Sequence, residues 1–514
     1  MSKNKYIYLF CVFGVFILYA FLLRPTQNHA FSLSFVDEAD NFVIGDWLNR
    51  GKILYRDIFI NHQPIPAIAS AIIQKITRPN STFLLVKRHR EALYLFTALS
   101  FILLTFRFGY PAFLFAILYE FSKFSLLGNL FLSESLVIPP LLYLIGFLYN
   151  LIAKGNRKLN HFDMIFIPLS LLFIQFNLLP LTPFVLMTLL IVLLGIPKKK
   201  KTNFIISISL ITIIFLFLLS RFIDFSWYFH DNFIINLKEF IPQQNTAPVY
   251  LSLARILLFP FILFTQTPKD LFLLLQIVSF FYIATLIYLI SKKNYLLAAL
   301  SYLLLVSLNL RPLPLGQFYT GFHFLPIFAS FVWLTILQLD IIIKSTKKLG
   351  KVLLLTGSYA IIILFFLSFG SKEIFRQTDP NRDWYINYSS FFDYGETIKI
   401  LSQPKDTLMV APDVPLLYWH SKLFPGGRYY FIYGFMEKSK VLEQDLAGSL
   451  KNYPPTFIYA EGELNEYISF NKIAKDYQQI PQNSKPSRLY ISTKNLSNIS
   501  DKQWDEVKRY GFDK

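Results

Sequence analysis

Apolar runs of about 20 residues, the length that crosses a bilayer, recur from residue 6 to residue 369. They lie at roughly 6–23, 91–108, 110–128, 132–152, 163–179, 181–196, 203–222, 270–290, 294–309, 323–343 and 351–369. Pro180 and Pro183 mark the turn between the two runs packed into 163–196. A twelfth run, 250–265, is short and holds Arg255 and Pro260, so it spans, re-enters or lies in the interface. A soluble domain carries about 25% charged residues. This chain has 16%, against 54% hydrophobic residues and a mean hydropathy of +0.44. The pattern predicts a mainly α-helical polytopic membrane protein of about 11–13 transmembrane helices.

Basic residues give the orientation. Lys3 and Lys5 precede the first run, and Lys154, Arg157 and Lys158 follow the fourth. Lys198 to Lys201 follow the sixth, Lys292 and Lys293 the eighth, and Lys344, Lys347, Lys348 and Lys351 separate the last two. All fall on one side if 250–265 does not cross, which puts the N-terminus in the cytoplasm and the C-terminus outside. An extra pair of crossings would leave both ends where they are. The net charge of +18 therefore reads as cytoplasmic loop charge and not as a nucleic-acid footprint. The first run is longer than the 7–15-residue core of a signal peptide, so it reads as an anchor. A single cysteine, Cys11, excludes an internal disulfide and a multi-cysteine zinc site. The abundance of Phe, Ile and Lys suggests an AT-rich genome and a prokaryotic cell membrane. Lys123 is a charge inside the third span, with Glu120 at i−3 placed to pair with it.

Three outer segments are long enough to do chemistry: about 24–90, 223–269 and 370–514. The expected domains are a membrane domain, 1–369, and an extracytoplasmic α/β domain, 370–514. In the tail, Thr407–Ala411, Thr456–Ala460 and Arg488–Ser492 read as strands. Glu437–Leu450 and Asp501–Tyr510 read as helices, the second capped by Asp501. The aromatic and basic stretch Tyr418–Phe431 is either a ligand-facing loop or a turn packed on the domain core. Trp227, Tyr228, Phe229 and His230 read as an interfacial anchor or a cover over a lipid path.

Residues 35–66 read FVDEADNFVIGDWLNRGKILYRDIFINHQPIP. A helix over 36–50 puts Val36, Ala39, Val43 and Trp47 on one face. Gly51 stands where a glycine would stop it. Asp37 and Asp40 project together beside that stripe, and Glu38 points elsewhere. Such a helix lying on the membrane would hold carboxylates at headgroup level.

This order resembles the GT-C glycosyltransferases, in the branch of the dolichyl-phosphate-mannose protein mannosyltransferases and the lipid A aminoarabinose transferases. The matching pieces are Asp37-Glu38, then Gly51-Lys-Ile-Leu-Tyr55-Arg-Asp57, then His62-Gln-Pro64-Ile-Pro66, in which Ile65 splits the family's Pro-Pro. Arg88 and Arg90 stand near the second span, Ser133-Glu134-Ser135 at the outer end of the fourth, and Arg311–Pro326 before a late one. The resemblance implies a multi-span enzyme that takes a sugar from a polyprenyl phosphate outside the membrane. Its acceptor is a lipid, protein or glycan hydroxyl.

A polyprenyl phosphate leaves as a stable anion, so the reaction needs a base more than an acid. This differs from glycoside hydrolysis, which needs both. The resemblance implies Asp37 as the base and Glu38 beside it. It implies Asp57 and Glu134 as support for the acceptor or a metal; Asp40, which the family pattern does not single out, is a further candidate for that support. Arg311, with Arg221 and His62 behind it, would hold the phosphate, and Tyr319 and His323 would line the site. Divalent-metal use stays open, because His62 and His323 lack metal-ligand spacing. The rival readings are a polymerase or ligase of polyprenyl-linked glycans and a multi-span transporter. The carboxylate loop directly after the first span speaks against the former. The scarcity of charges and repeats in the spans speaks against the latter.

Overall fold

The computed structural model describes residues 3–153, 159–244, 248–267, 270–308, 321–345, 373–412 and 414–514. The chain divides into two compact units. The first comprises Met1–His29, Arg90–Phe217 and Asn245–Thr378, and the second Ala30–His89, Leu218–Gln244 and Asp379–Lys514. The second unit thus gathers the tail together with residues of the first two outer loops.

The first unit is built of apolar helices. Among the described residues six helices of the chain are long and apolar enough to cross a membrane: Tyr6–Asn28, Thr82–Phe108, Ser133–Ala153, Lys198–Leu219, Leu271–Ser291 and Gly321–Ile343. Shorter apolar helices cover His161–Gln175, Leu179–Gly195, Tyr250–Thr265 and Tyr295–Ser307. The chain is an integral multi-pass membrane protein. The expected span 351–369 lies outside the described residues. The third run ends early, as a 13-residue helix Tyr110–Ser122 followed by a 3-10 turn Lys123–Leu126. Leu127, at φ +56, closes the turn. Such a helix is about 20 Å long, short of a bilayer core. At its end the Lys123 ammonium lies 2.6 Å from the Glu120 carboxylate, both buried, and Tyr19 donates its hydroxyl to the same carboxylate at 2.8 Å. The i−3 pairing read from the sequence is therefore present.

In the second unit a four-stranded sheet has the order β1-β2-β4-β3, with β1 Leu408–Ala411, β2 Phe457–Ala460, β3 Tyr477–Gln479 and β4 Leu489–Ser492. β1 pairs with β2 in parallel, and β4 is antiparallel to both of its neighbours. β1 and β2 are buried at every residue, which suits their uninterrupted apolar sequences. β3 is a short polar edge strand whose Gln478 and Gln479 carry no apolar signal in the sequence.

Two helix boundaries differ from expectation. The helix expected over Glu437–Leu450 breaks at Ser439, whose hydroxyl caps Lys440–Asn452 by accepting the Leu442 N–H at 3.2 Å. The last helix is capped by Ser500, in a reciprocal capping box with Gln503, and Asp501 is its first helical residue. Of the two options for Tyr418–Phe431, packing prevails for the rings: Tyr418, Trp419, Tyr429, Tyr430 and Phe431 are buried. Its Gly426 runs so close to the Tyr453 carbonyl that a Cβ would stand 2.6 Å from it.

Candidate active site

The carboxylate helix runs Val36–Asn49, and Gly51 follows at φ +88, a region that favours glycine. Its burial is not confined to the face of Val36, Ala39, Val43 and Trp47. Ten of its 14 residues are buried, because other parts of the unit pack around it. On one side stands the helix Pro64–Thr77. Gly45 makes the approach possible: a Cβ there would lie 2.5 Å from Ser70 Oγ and 2.8 Å from the Ala71 nitrogen. Gln74 Nε2 donates to the Phe42 carbonyl at 2.7 Å, and Asn49 Nδ2 to the Ala71 carbonyl at 2.8 Å. Trp47, fully buried, meets Tyr418 and Tyr430 edge to face, with ring centroids 5.1 and 5.2 Å away.

This packing sorts the three acids. Glu38 and Asp40 are buried, at 1% and 2% exposure, and Asp37 is half-buried. Asp40 accepts from the Tyr433 hydroxyl at 3.3 Å. The Asp37 backbone carbonyl accepts from Asn41 Nδ2 at 2.8 Å. Among the described residues no hydrogen bond or ion pair engages the Asp37 carboxylate.

The following loop is tied to the segment that carries Arg221. Leu54 donates its N–H to the Phe222 carbonyl at 2.9 Å and accepts from the Asp224 N–H at 3.2 Å. The piece Gly51–Asp57 and the exposed Arg221 are thereby held close in the chain's own hydrogen bonding. Asp57 closes a turn: its carboxylate accepts the Ile53 N–H at 2.8 Å and pairs with Arg56 at 3.0 Å. Burial pushes its carboxyl up, but Arg56, the Ile53 N–H and Lys52 together bring it below the ordinary carboxylate value. His62 is exposed, and its carbonyl accepts from the Tyr55 hydroxyl at 2.8 Å. Gln63 is buried, donating to Asn232 at 2.7 Å and accepting from the Tyr228 hydroxyl at 2.9 Å.

The partners of this loop come from a continuous helix over 225–244, whose centre, His230–Phe240, is a π-helix. Asp224 caps it, accepting the Ser226 and Trp227 N–H groups. Trp227 and Phe229 are exposed, and Tyr228 is buried against Tyr55 at a centroid distance of 5.2 Å. Asp231 is fully buried and ion-paired to Arg428. Burial outweighs the pull of Arg428 and His230 and raises the Asp231 carboxyl above its ordinary value. Sequence reasoning missed Asp231, Asn232, Gln63, Arg428 and Tyr433. They are ordinary polar residues whose partners stand up to 393 positions away, so no local pattern marks them.

Within the first unit, Glu134 and His323 come together. Glu134 sits in the short helix Ser133–Leu136 and His323 in the 3-10 turn Gly321–Phe324. His323 Nδ1 lies 2.8 Å from Glu134 Oε1, and the carboxylate is buried. Arg311 and Tyr319 lie outside the described residues. Among the described residues no three His, Cys, Asp or Glu side chains gather as a metal site.

No protein-family model matches the chain, and no curated protein sequence does. Solved structures do. The chain has a membrane fold like that of ArnT from Cupriavidus metallidurans, the fold implied by the GT-C resemblance. One crystal structure of that protein is bound to undecaprenyl phosphate and superposes with a TM-score of 0.55. A second, in the apo state, gives 0.54. Each is 9% identical in sequence, and each match covers 93% of this chain and 98% of the other. At that identity the likeness is one of fold.

Proposed function

We propose that the chain is a membrane glycosyltransferase that moves a sugar from a polyprenyl phosphate to an acceptor hydroxyl at the outer face of the membrane. The observation that carries this reading is the sorting of the first-loop acids on an ArnT-like fold. One carboxylate, Asp37, is half-open and unengaged among the described residues, beside two that are buried. A base needs an available lone pair and access to its proton.

In this mechanism the acceptor oxygen attacks the anomeric carbon as its proton passes to the Asp37 carboxylate. The bond from that carbon to the phosphate oxygen breaks, and its electron pair leaves with the polyprenyl phosphate. A single displacement inverts the carbon. Arg221, Arg311 and His62 are assigned to the phosphate, where charge develops. Glu38, Asp40 and Asp57 support the first loop. Glu134 supports the acceptor or a metal, and His323 and Tyr319 line the site. The N-terminus is cytoplasmic and the tail, 370–514, extracytoplasmic.

The test is transfer by the purified full chain in liposomes, offered a panel of undecaprenyl-phosphate sugars and hydroxyl acceptors. Consumption of one donor with release of undecaprenyl phosphate is expected. Solute movement without transfer would point to a transporter, and indifference to every lipid-linked sugar would sink the proposal. For topology, a reporter active only in the cytoplasm should stay dark when fused after Lys514.

A further inference from the structure

Arg428 stands in the tail, yet its contacts reach both outer loops of its unit. One guanidinium nitrogen pairs with the fully buried Asp231 of the π-helix, and Nε donates to the Tyr55 carbonyl at 2.8 Å. The guanidinium plane lies 4.1 Å from the Trp227 ring centroid and 5.3 Å from that of Phe59. The Arg428 backbone carbonyl accepts the Phe59 N–H at 2.8 Å. The planar guanidinium carries its donors in a rigid fork whose directions match these two acceptors, whereas the three donors of an ammonium rotate on a flexible stem and impose no such geometry.

The acceptor at Tyr55 is unusual. Tyr55 is a bulky residue at φ +71, a strained left-handed conformation that persists only where the surroundings over-determine it. Its surroundings do. Its N–H bonds the Ile58 carbonyl at 3.0 Å, its hydroxyl the His62 carbonyl at 2.8 Å, and its carbonyl the Arg428 side chain. Tyr55 and Arg428 together fix the course of the loop from Ile53 to Gln63, which presents His62 and is stitched to the strand of chain beside Arg221.

We propose that Arg428 is a positioning residue for the donor-phosphate loop, holding Tyr55 in its strained conformation while Asp231 anchors the guanidinium. The role toward the donor phosphate rests on the proposed function, and the hold on the loop rests on these contacts alone. Arg428 also neutralises the buried Asp231 carboxylate, a role that any cation in its place would share, so the hold on Tyr55 is what separates Arg from Lys here.

The experiment compares full-length wild type with R428Q and R428K, by hydrogen exchange and by affinity for undecaprenyl phosphate in detergent. In R428Q, peptides covering 53–63 should exchange about tenfold faster, the weight of one charged hydrogen bond. The strands 457–460 and 489–492 should keep their protection. Undecaprenyl phosphate should bind about tenfold more weakly. R428K keeps a charge for Asp231, so it guards against simple misfolding, and it should leave the loop as fast as in R428Q. Unchanged exchange at 53–63, a uniform rise across the tail, or full restoration by Lys would each overturn the inference. Wild type without affinity for the lipid would instead sink the proposed function, whereas wild-type binding that R428Q retains in full would sink the role of Arg428.

Discussion

Asp37 and Glu134 are both acids of expected outer segments, and both stand near a helix start. Their surroundings differ. Glu134 is buried and its carboxylate is held by His323 at 2.8 Å. Asp37 is half-buried with its carboxylate unengaged among the described residues. A carboxylate whose lone pairs are committed holds other groups in place, while one with a free lone pair and access can take a proton. Residue type alone would rank the two equally; partners separate them.

The sharpest break of this contrast is Asp37→Asn, which keeps shape and hydrogen-bonding reach but cannot accept the acceptor's proton. Transfer should fall by roughly 10²–10⁴, with binding of undecaprenyl phosphate retained. If Glu38→Gln or Asp40→Asn loses activity while Asp37→Asn keeps it, the wrong carboxylate has been chosen. Glu134→Gln should cost less, about tenfold in transfer. It exchanges a charge-assisted hydrogen bond, worth ~1.5–3 kcal/mol, for a neutral one to His323. Equal losses at 37 and 134 would erase the distinction.

Gly45→Ala tests the frame that holds Asp37. A methyl group there meets the Ala71 backbone nitrogen at 2.8 Å, so the carboxylate helix must shift. Overpacking of this kind costs ~1–3 kcal/mol, read as a lower Tm, and transfer should drop with it. A variant with wild-type Tm and wild-type transfer would show that the close approach is not needed.

The smallest effect concerns a third acid. Glu396 is held by His420 Nε2, also at 2.8 Å, in the tail. Burial depresses the His420 pKa below 6.5, more than the Glu396 carboxylate raises it. Below pH 6.5 the unfolded chain therefore binds the proton more readily than the fold does. The contribution is fully present above 6.5 and is lost as pH falls through the folded value. Thermal unfolding between pH 7 and pH 5 should show a decline that His420→Gln flattens. A rise in stability toward pH 5, removed by the same substitution, would reverse the assignment.

What the sequence made legible follows contact range. Glu120 and Lys123 are one helical turn apart, and their pairing could be read directly. The carboxylate helix and its glycine stop were equally local. The pairing of Asp231 with Arg428 spans 197 positions, and nothing near either residue announces it. Burial of the carboxylate helix on nearly every side was also hidden. Its apolar stripe is ordinary, and the packing arises from Gly45, Ser70 and the aromatic residues after 418, which look unrelated in the sequence.

The π-helix His230–Phe240 has a consequence for change by insertion and deletion. Its i→i+5 bonding takes up one more residue per turn's hydrogen bond than an α-helix does. Deleting a single residue there would let the segment relax to α geometry and rotate everything after it by about 100°. Glu239 would swing away from the Ser439 hydroxyl, which now lies 2.5 Å from its carboxylate, and Phe240 from Phe435, 5.0 Å away between centroids. Loop length usually drifts at little cost, but in this outer segment the count of residues is itself constrained, and homologues should conserve spacing here more tightly than identity.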